Sequence, residues 1–391
     1  MMVTRRGALL GLGAAVTLGR ASLAWGAAPT ESRFVVVLLR GALDGMSAVQ
    51  PYGDADFAGL RGELALGQPG GQPGADGGVL DLGGFYGLHP AMPALHAMYR
   101  AGDALVLHAV AGHYRSRSHF EAQDYLESGA DQRLTSGWLN RAVAAMAAPA
   151  GQDVALSMGL AAPLMLRGPA HVQAYAPPHF GEGPSDDLMA RLLRVTAHDP
   201  VIGPALAEGL KDRGVAAPAA AGKTPQPVLL AGVAGQMLAG PAGPRVAVLE
   251  LEGWDTHAAQ VPRLKNMLGQ LDGTLAALRS SLGPAWGRTA VLVVTEFGRT
   301  ARINGTKGTD HGTGGVAFLV GGAVLGGKVR ADWPGLGAGR LFEDRDLMPT
   351  ADVRAIAKGV LRDHLSLGSA ALDAAFPGSR DAPPMPGLVR V

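Results

Sequence analysis

The sequence predicts an α/β fold: a three-layer α/β/α sandwich with a mostly parallel sheet. Two observations carry this prediction. Short runs of aliphatic and β-branched residues recur along the chain, and between them lie segments with apolar residues at three- and four-residue intervals. The first pattern is typical of strands that are buried on both faces of a parallel sheet, and the second of amphipathic helices. Strands that alternate with helices build such a sandwich.

The first strand is predicted over 34–39 (FVVVLL), ending at Arg40 and Gly41. Further apolar runs predict strands over 104–110, 245–251, 289–294 and 316–320. The three- to four-residue spacing predicts helices over 90–100, 118–128, 137–147, 186–197, 256–281 and 350–364.

One large domain is expected over residues 29–378, because no charge run or polar linker divides this part of the 391-residue chain. Two segments rich in Gly, Pro and Ala, 67–84 and 213–227, are expected to be insertions or loops. Residues 379–391 are expected to form an irregular tail.

Residues 1–28 have the features of a twin-arginine export signal. Arg5 and Arg6 precede a modest Gly/Ala/Leu stretch, and small residues at Gly26 and Ala28 suit cleavage by signal peptidase. The stretch is too weakly apolar for a stable membrane span. An ordinary secretory signal or an uncleaved anchor are the alternatives, and all three predict a periplasmic or otherwise exported protein.

Composition restricts the function. The chain has 34 basic and 33 acidic residues, so no nucleic-acid partner is expected. Aliphatic residues suffice for a large core, since 47% of residues are hydrophobic and only 5% aromatic. The absence of cysteine excludes disulfides, thiolate metal sites and cysteine nucleophiles, so any metal must bind to histidines and carboxylates.

Ligand sites of open α/β sheets gather at the carboxyl ends of the strands, so the polar residues after each apolar run are the candidates for function. Asp44 follows the first strand and can be either a metal ligand or a turn aspartate that bonds its own backbone. Ser118 follows the second strand at a predicted helix N-terminus. With Glu121 it forms a capping-box pattern, and the helix dipole there also favours an alkoxide or a bound anion.

Two later loops contain most of the candidate ligands. Asp255 and His257 are two residues apart after the strand 245–251, a spacing at which both can reach one cation. Glu296 and Arg299 follow the strand 289–294, and an arginine can hold an oxyanion with a bidentate fork. Asp310 and His311 lie further along this loop, and a loop that is merely stabilised by Glu–Arg pairs is the alternative.

Pooled, these loops supply four carboxylates and two histidines. This oxygen-rich set suits one or two divalent ions, namely zinc, manganese, calcium or magnesium.

Several of these segments together resemble domain-of-unknown-function family 1501, exported bacterial proteins that belong with the alkaline-phosphatase and sulfatase superfamily. The matching segments, which extend from about residue 33 to 365, are LRGALDGMSAVQP (39–51), GLHPAM (87–92), RSHFEAQDYLESG (117–129), GWLNR (137–141), GWDTH (253–257), TEFGRT (295–300) and GTDHG (308–312). The resemblance implies an alkaline-phosphatase-like sandwich with a metal-dependent hydrolase site.

The resemblance also implies roles for individual residues. Ser118 corresponds to the nucleophile, and the metal ligands correspond to Asp44, Asp255, His257, Glu296 and His311. The Asp310-His311 pair is an alternative equivalent of the superfamily's Asp-His motif, and the two alignments stay open. Ser118 lacks the neighbouring pattern of sulfatases that form formylglycine.

These observations give one leading hypothesis: an exported metal-dependent hydrolase of a small-molecule, glycan or lipid ester of phosphate or sulfate. Ser118 would attack, Arg299 or Arg117 would hold a non-bridging oxygen, and His119 would donate a proton. The alternatives are a noncatalytic envelope protein with a degenerate metal site and a metal-free Ser-His-Asp hydrolase. The last of these is disfavoured because Ser118 lies in no G-x-S-x-G turn.

Overall fold

The computed structural model describes residues 31–70, 78–146, 154–159, 161–176, 225–241 and 243–390. The expected signal segment 1–28 and the expected helix 186–197 lie outside these residues, as does most of the segment 213–227.

Within the described ranges, twelve strands form a nine-stranded and a three-stranded sheet. They are β1 (Arg33–Leu39), β2 (Val49–Gln50), β3 (Leu80–Asp81), β4 (Gly87–Leu88), β5 (Ala104–Ala111), β6 (Ala155–Met158), β7 (Val172–Tyr175), β8 (Val246–Leu251), β9 (Thr289–Thr295), β10 (Gly315–Val320), β11 (Lys328–Arg330) and β12 (Ala351–Asp352). The large sheet has the order β11-β5-β10-β9-β1-β8-β6-β7, with β12 paired to β5, and the small sheet has the order β2-β4-β3.

The large sheet is mixed but mostly parallel, as the sequence predicts. Strand β1 pairs in parallel with β8 and β9 on its two sides, while β10 runs antiparallel to both β9 and β5. Because β1, β8 and β9 are parallel neighbours, the chain leaves all three at the same edge of the sheet. That edge carries the candidate site.

Helices cover both faces of this sheet. They are α1 (Gly45–Ala48), α2 (Phe57–Arg61), α3 (Pro93–Arg100), α4 (His119–Ser128), α5 (Trp138–Ala144), α6 (Gln226–Ala239), α7 (Gln260–Leu282), α8 (Val353–Asp363) and α9 (Ser369–Ala375), and short 3-10 segments span Gly62–Leu64, Leu164–Leu166 and Gly283–Arg288. Val35 and Val37 of β1 join a core with α6 and α7, whereas the alternating Phe34 and Val36 join a second core with α5 and α8. This alternation confirms the three-layer sandwich, because side chains of a strand point to opposite faces in turn.

All five predicted strands are present, but some elements differ from the prediction. Helix α7 begins at Gln260 rather than at 256, because residues 252–259 form a loop at the end of β8. Helix α6 was not predicted: its sequence QPVLLAGVAGQMLA is apolar on nearly every side, so it has no polar stripe to reveal a helical period. No helix among the described residues is long and apolar enough to span a membrane.

Candidate metal centre

Three histidines and one aspartate meet at the carboxyl edge of the sheet. His119 is the first residue of α4, Asp255 and His257 follow β8, and His311 lies in the segment between β9 and β10. Three separate stretches of chain thus contribute, through the parallel arrangement of the strands, to one cluster that is partly exposed to solvent.

The side-chain nitrogens of this cluster point towards one another. Nε2 of His311 lies 3.0 Å from Nε2 of His119 and 2.9 Å from Nε2 of His257. Oδ1 of Asp255 lies 3.2 Å from Nε2 of His311 and 3.0 Å from Nε2 of His257, and its Oδ2 lies 3.6 Å from Nε2 of His119. Ligand atoms of His119, Asp255 and His311 all fall within 4.8 Å of one another.

The opposite ring nitrogen of each histidine contacts an acceptor. Nδ1 of His119 lies 2.7 Å from Oε1 of Glu296, and Nδ1 of His257 lies 3.0 Å from Oδ1 of Asp310. Nδ1 of His311 lies 2.8 Å from the carbonyl oxygen of Arg117. Since these oxygens can only accept, each neutral ring carries its hydrogen on Nδ1 and directs the lone pair of Nε2 at the other rings.

Three lone pairs that face one another repel unless a positive charge lies between them. A divalent cation fits this arrangement, because metal-binding histidines present one nitrogen to the ion and donate the other N–H to a carboxylate or carbonyl. The donor set of three imidazoles and one carboxylate is that of a tetrahedral site.

Glu296 is the most deeply buried carboxylate beside the cluster. Burial raises the pKa of its carboxyl, but hydrogen bonds from His119 and Gln123 outweigh that effect and hold the pKa below its usual range. In return, Glu296 raises the pKa of the His119 imidazole. The backbone N–H of Gly41, at the end of β1, also donates to Oε1 of Glu296 at 2.9 Å, so this carboxylate connects β9, α4 and β1.

The loop that carries Asp310 and His311 packs closely on its neighbours. Arg299 pairs with His311 in an isolated antiparallel bridge. A Cβ on Gly308 would lie 2.3 Å from the carbonyl oxygen of His257, and a Cβ on Gly312 would lie 2.3 Å from the carbonyl carbon of Arg299. Only glycine allows the backbone to approach this closely, which explains the two glycines of GTDHG.

The structure corrects the expectation that Arg299 or Arg117 holds a substrate oxygen. Arg299 is buried, and it donates to the carbonyl of Ala42 at 2.9 Å and to Oδ1 of Asp255 at 2.8 Å. Arg117 forms an ion pair with Asp346 at 2.7 Å. Both guanidinium groups are therefore engaged by the protein, and Arg299 orients Asp255.

The structure also corrects the expectation that Asp44 is a metal ligand. Its carboxylate is fully buried, forms an ion pair with Arg61, and accepts hydrogen bonds from Gln260 at 2.6 Å and from the Ser47 hydroxyl at 2.9 Å. Burial raises its pKa, but the charge of Arg61 and these hydrogen bonds hold it below the usual range. The guanidinium of Arg61 thus occupies the position beside Asp44 at which a metal ion was expected.

Three of the six residues expected to bind metal converge in the cluster, namely Asp255, His257 and His311. Glu296 and Asp310 contact the outer nitrogens, Nδ1, of His119 and His257 rather than the cluster itself. This corrects their assignment as ligands. His119, expected to be a proton donor, instead directs its Nε2 into the cluster.

Ser118 lies between two residues that contact the cluster. It has the extended backbone of an N-cap residue for α4, but its side chain makes no capping hydrogen bond. Glu121, the other half of the expected capping box, instead accepts a hydrogen bond from the Tyr114 hydroxyl at 2.6 Å. The Ser118 hydroxyl is thus not committed to the helix end.

Asp346 is a site residue that the sequence did not reveal. It is fully buried and accepts from Arg117 at 2.7 Å, from Thr313 at 2.9 Å and from Nε of Arg345 at 2.8 Å. Arg345 in turn donates to the carbonyl of His311. Asp346 thereby connects the segments that carry His119 and His311, although it lies far from both in sequence and belongs to no motif.

Residues 108–374 match a protein family described as "Protein of unknown function (DUF1501)". Two solved structures are similar at low identity. The C-terminal periplasmic domain of EcEptC from Escherichia coli, in complex with zinc, is 12% identical, with 75% of this chain and 73% of that chain covered and a TM-score of 0.35. A sulfatase from Bacteroides thetaiotaomicron, associated with the metabolism of multiple glycosaminoglycans, is 9% identical, with 87% and 74% covered and a TM-score of 0.38. No curated protein is similar in sequence.

Proposed function

The chain belongs to the DUF1501 family, and we propose that it is an exported, metal-dependent hydrolase of phosphate or sulfate esters. One observation carries the proposal: three imidazoles and one carboxylate cluster at the edge of the sheet, and one of them, His119, directly follows Ser118, whose side chain makes no capping bond.

His119, His257, His311 and Asp255 would hold one divalent ion. Bound there, the ion supplies positive charge that stabilises negative oxygens of the ester and of the leaving group. A nitrogen-rich donor set favours zinc over manganese, calcium or magnesium, which prefer oxygen ligands. The ion pair between Asp44 and Arg61 supports a single ion, because it occupies the other carboxylate expected to bind metal.

Ser118 is the proposed nucleophile. Its Oγ forms a bond to phosphorus or sulfur while the bond to the leaving oxygen breaks; the serine proton goes to solvent, and the leaving oxygen is protonated by solvent. Water then cleaves the seryl ester, which releases phosphate or sulfate and restores Ser118. The positive end of the α4 dipole favours the negative charge that develops at this position.

The proposal of export rests on residues 1–28, whose paired arginines and small residues at the expected cleavage site resemble a twin-arginine signal. The protein would then meet its substrate, a small-molecule, glycan or lipid ester, in the periplasm or beyond it.

A noncatalytic envelope protein with one metal is the second candidate. The observation that favours it is the engagement of Arg299 and Arg117 by protein groups, which leaves neither guanidinium free for a substrate oxygen.

Elemental analysis and a turnover assay test the proposal together. The mature protein, purified without chelator, is compared with an Asp255→Ala/His257→Ala variant, and both are assayed with 4-nitrophenyl phosphate and 4-nitrophenyl sulfate. Near-stoichiometric metal and turnover that both vanish in the variant would support the hydrolase. Metal without turnover of any ester would favour the binding protein, and a wild-type protein without metal would overturn both.

A further inference from the structure

A groove of about 660 Å³ lies beside the metal centre and shares helix α4 with it. His119 of this helix belongs to the metal centre, while Phe120 and Gln123 line the groove. Nε2 of Gln123 donates to Glu296 at 3.0 Å, and Oε1 of the same side chain accepts from Arg40 at 3.2 Å. The wall of the groove and the surroundings of the centre are therefore linked by the hydrogen bonds of a single side chain.

The inner wall of the groove is a network of one arginine and two glutamates. Arg40 forms ion pairs with both Glu127 and Glu250, and Glu127 also accepts from the backbone N–H of Met165 at 2.8 Å. These groups hold one another in place and present fixed hydrogen-bonding atoms. Their formal charge of −1 is balanced at the rim, where two arginines, Arg133 and Arg167, accompany one acid, Asp124.

The rim of the groove carries two guanidinium groups that a ligand can reach. Arg133 is 57% exposed and, within the part of the chain that the structure describes, forms a surface ion pair with Asp124 alone. A contact of this type contributes little and is readily exchanged. Arg167 is exposed and donates through Nε to the carbonyl of Ala162 at 3.0 Å. That bond leaves its two terminal nitrogens to bind a carboxylate, sulfate or phosphate in a bidentate fork.

Phe120 adds a flat apolar face. It is 84% exposed, the highest exposure of any large hydrophobic side chain among the described residues, and it directly follows His119. A ligand that suits this lining has an apolar face for the ring, hydroxyls for the fixed polar wall and an acidic group for the rim. A pyranose ring with a carboxylate or sulfate has all three, whereas a lipid chain would leave the charged wall without partners.

We infer that this groove binds an acidic sugar unit, which would be part of the substrate whose ester group reaches the metal centre. The assignment of the sugar as part of the substrate rests on the proposed function, but its binding in the groove does not.

Calorimetric titration tests the inference without any need for turnover. Trigalacturonate is the acidic probe and maltotriose the neutral one, with the wild-type protein, Phe120→Ala, Arg167→Gln and the Asp255→Ala/His257→Ala variant. Arg288→Gln, an exposed arginine at the opposite edge of the sheet, and Leu325→Ala, a partly exposed apolar residue outside the groove, are the matched controls.

Trigalacturonate is expected to bind the wild-type protein and the Asp255→Ala/His257→Ala variant alike, and at least about tenfold more tightly than maltotriose. Phe120→Ala and Arg167→Gln should each weaken it by about tenfold, and added salt should weaken the wild-type complex. The controls should leave binding unchanged.

Absence of binding, equal binding of the two sugars, or variants that bind like the wild type would each overturn the inference. Failure here is distinct from failure of the proposed function, because turnover of 4-nitrophenyl phosphate needs the metal centre but not the groove.

Discussion

Nδ1 of His119 lies 2.7 Å from Oε1 of Glu296, and this contact joins the start of helix α4 to the end of strand β9. The carboxylate determines which ring nitrogen of His119 carries the hydrogen, and so turns Nε2 towards His311 and Asp255. A carboxylate behind a metal-binding imidazole also makes the imidazole a better donor. Glu296 is thus expected to tune the metal centre without touching the ion.

Replacement of Glu296 tests this role. Glu296→Gln keeps an oxygen that can accept from Nδ1 of His119 but removes the negative charge. We expect metal affinity to fall by about 10- to 100-fold while the protein stays folded. Competition with a chelating dye measures the change. Glu250→Gln is the control, because Glu250 lies near the end of strand β8 and contacts Arg40 rather than the cluster. Equal affinities for the two variants would contradict the role of Glu296.

Ser118→Ala separates the nucleophile from the metal site. The hydroxyl makes no capping hydrogen bond, so its removal is expected to change unfolding free energy by less than about 0.5 kcal/mol. Metal content should be unchanged, whereas turnover of whichever ester the wild type hydrolyses should fall at least about 1000-fold. Ser116→Ala, two residues earlier, should keep full activity. A Ser118→Ala enzyme with its rate intact would eliminate the serine as nucleophile.

Asp346→Asn tests the connection between the segments that hold His119 and His311. The change weakens the contacts to Arg117 and Arg345, so we expect it to lower the free energy of unfolding by about 2 kcal/mol. Loss of a fully buried ion pair would cost more, but both arginines are partly exposed. Metal affinity should also fall, since the carbonyl of Arg117 orients His311. Urea unfolding with chelator present and dye competition without it measure the two effects.

Glu343→Gln is the matched variant for this measurement. Glu343 also contacts Arg117, at 2.6 Å, but its side chain is 58% exposed. Its replacement should cost less than about 0.5 kcal/mol and leave metal affinity unchanged. If Asp346→Asn behaved like Glu343→Gln, Asp346 would not position the site.

The sheet could be predicted from the sequence because its central strands have a recognisable residue pattern. Buried parallel strands are continuous β-branched and aliphatic runs, and no charged residue interrupts 34–39 or 289–294. The loops of the site could also be predicted, because the residues that follow parallel strands lie at one edge of the sheet. The largely apolar helix α6 and the two-residue strand β12 carry no comparable periodic signal.

The assignment of ligands could not be predicted, because it depends on orientation. Asp310 and His311 are adjacent and both can bind metal, yet Asp310 contacts the far nitrogen of His257 while His311 faces the cluster. Asp44 has the sequence position of a ligand, but the fold places Arg61 against it. The two residues are 17 positions apart, and nothing in the sequence between them predicts that ion pair. Local spacing identifies which loops hold ligands; contacts between distant segments decide which atoms face the ion.

His108 provides a prediction about stability that is independent of the metal. The ring is fully buried in β5, lies 5.4 Å from the ring of Tyr86, has Nε2 3.0 Å from the carbonyl of Val49, and accepts from the backbone N–H of Ala109 at 2.9 Å. Both nitrogens are therefore occupied in the neutral form. Burial lowers the pKa of His108 from 6.5 to about 4.

Between about pH 4 and 6.5 the unfolded chain therefore binds a proton at His108 that the native protein does not. Native stability must fall as the pH is lowered through this window, and this one histidine accounts for about 3 kcal/mol of the loss. His108→Gln removes the titration, so the wild-type advantage over this variant should shrink by about that amount between pH 7 and pH 4. Urea unfolding curves at several pH values, with chelator present to exclude metal release, measure the difference. An advantage that stays constant with pH would mean that His108 is not kept neutral by burial.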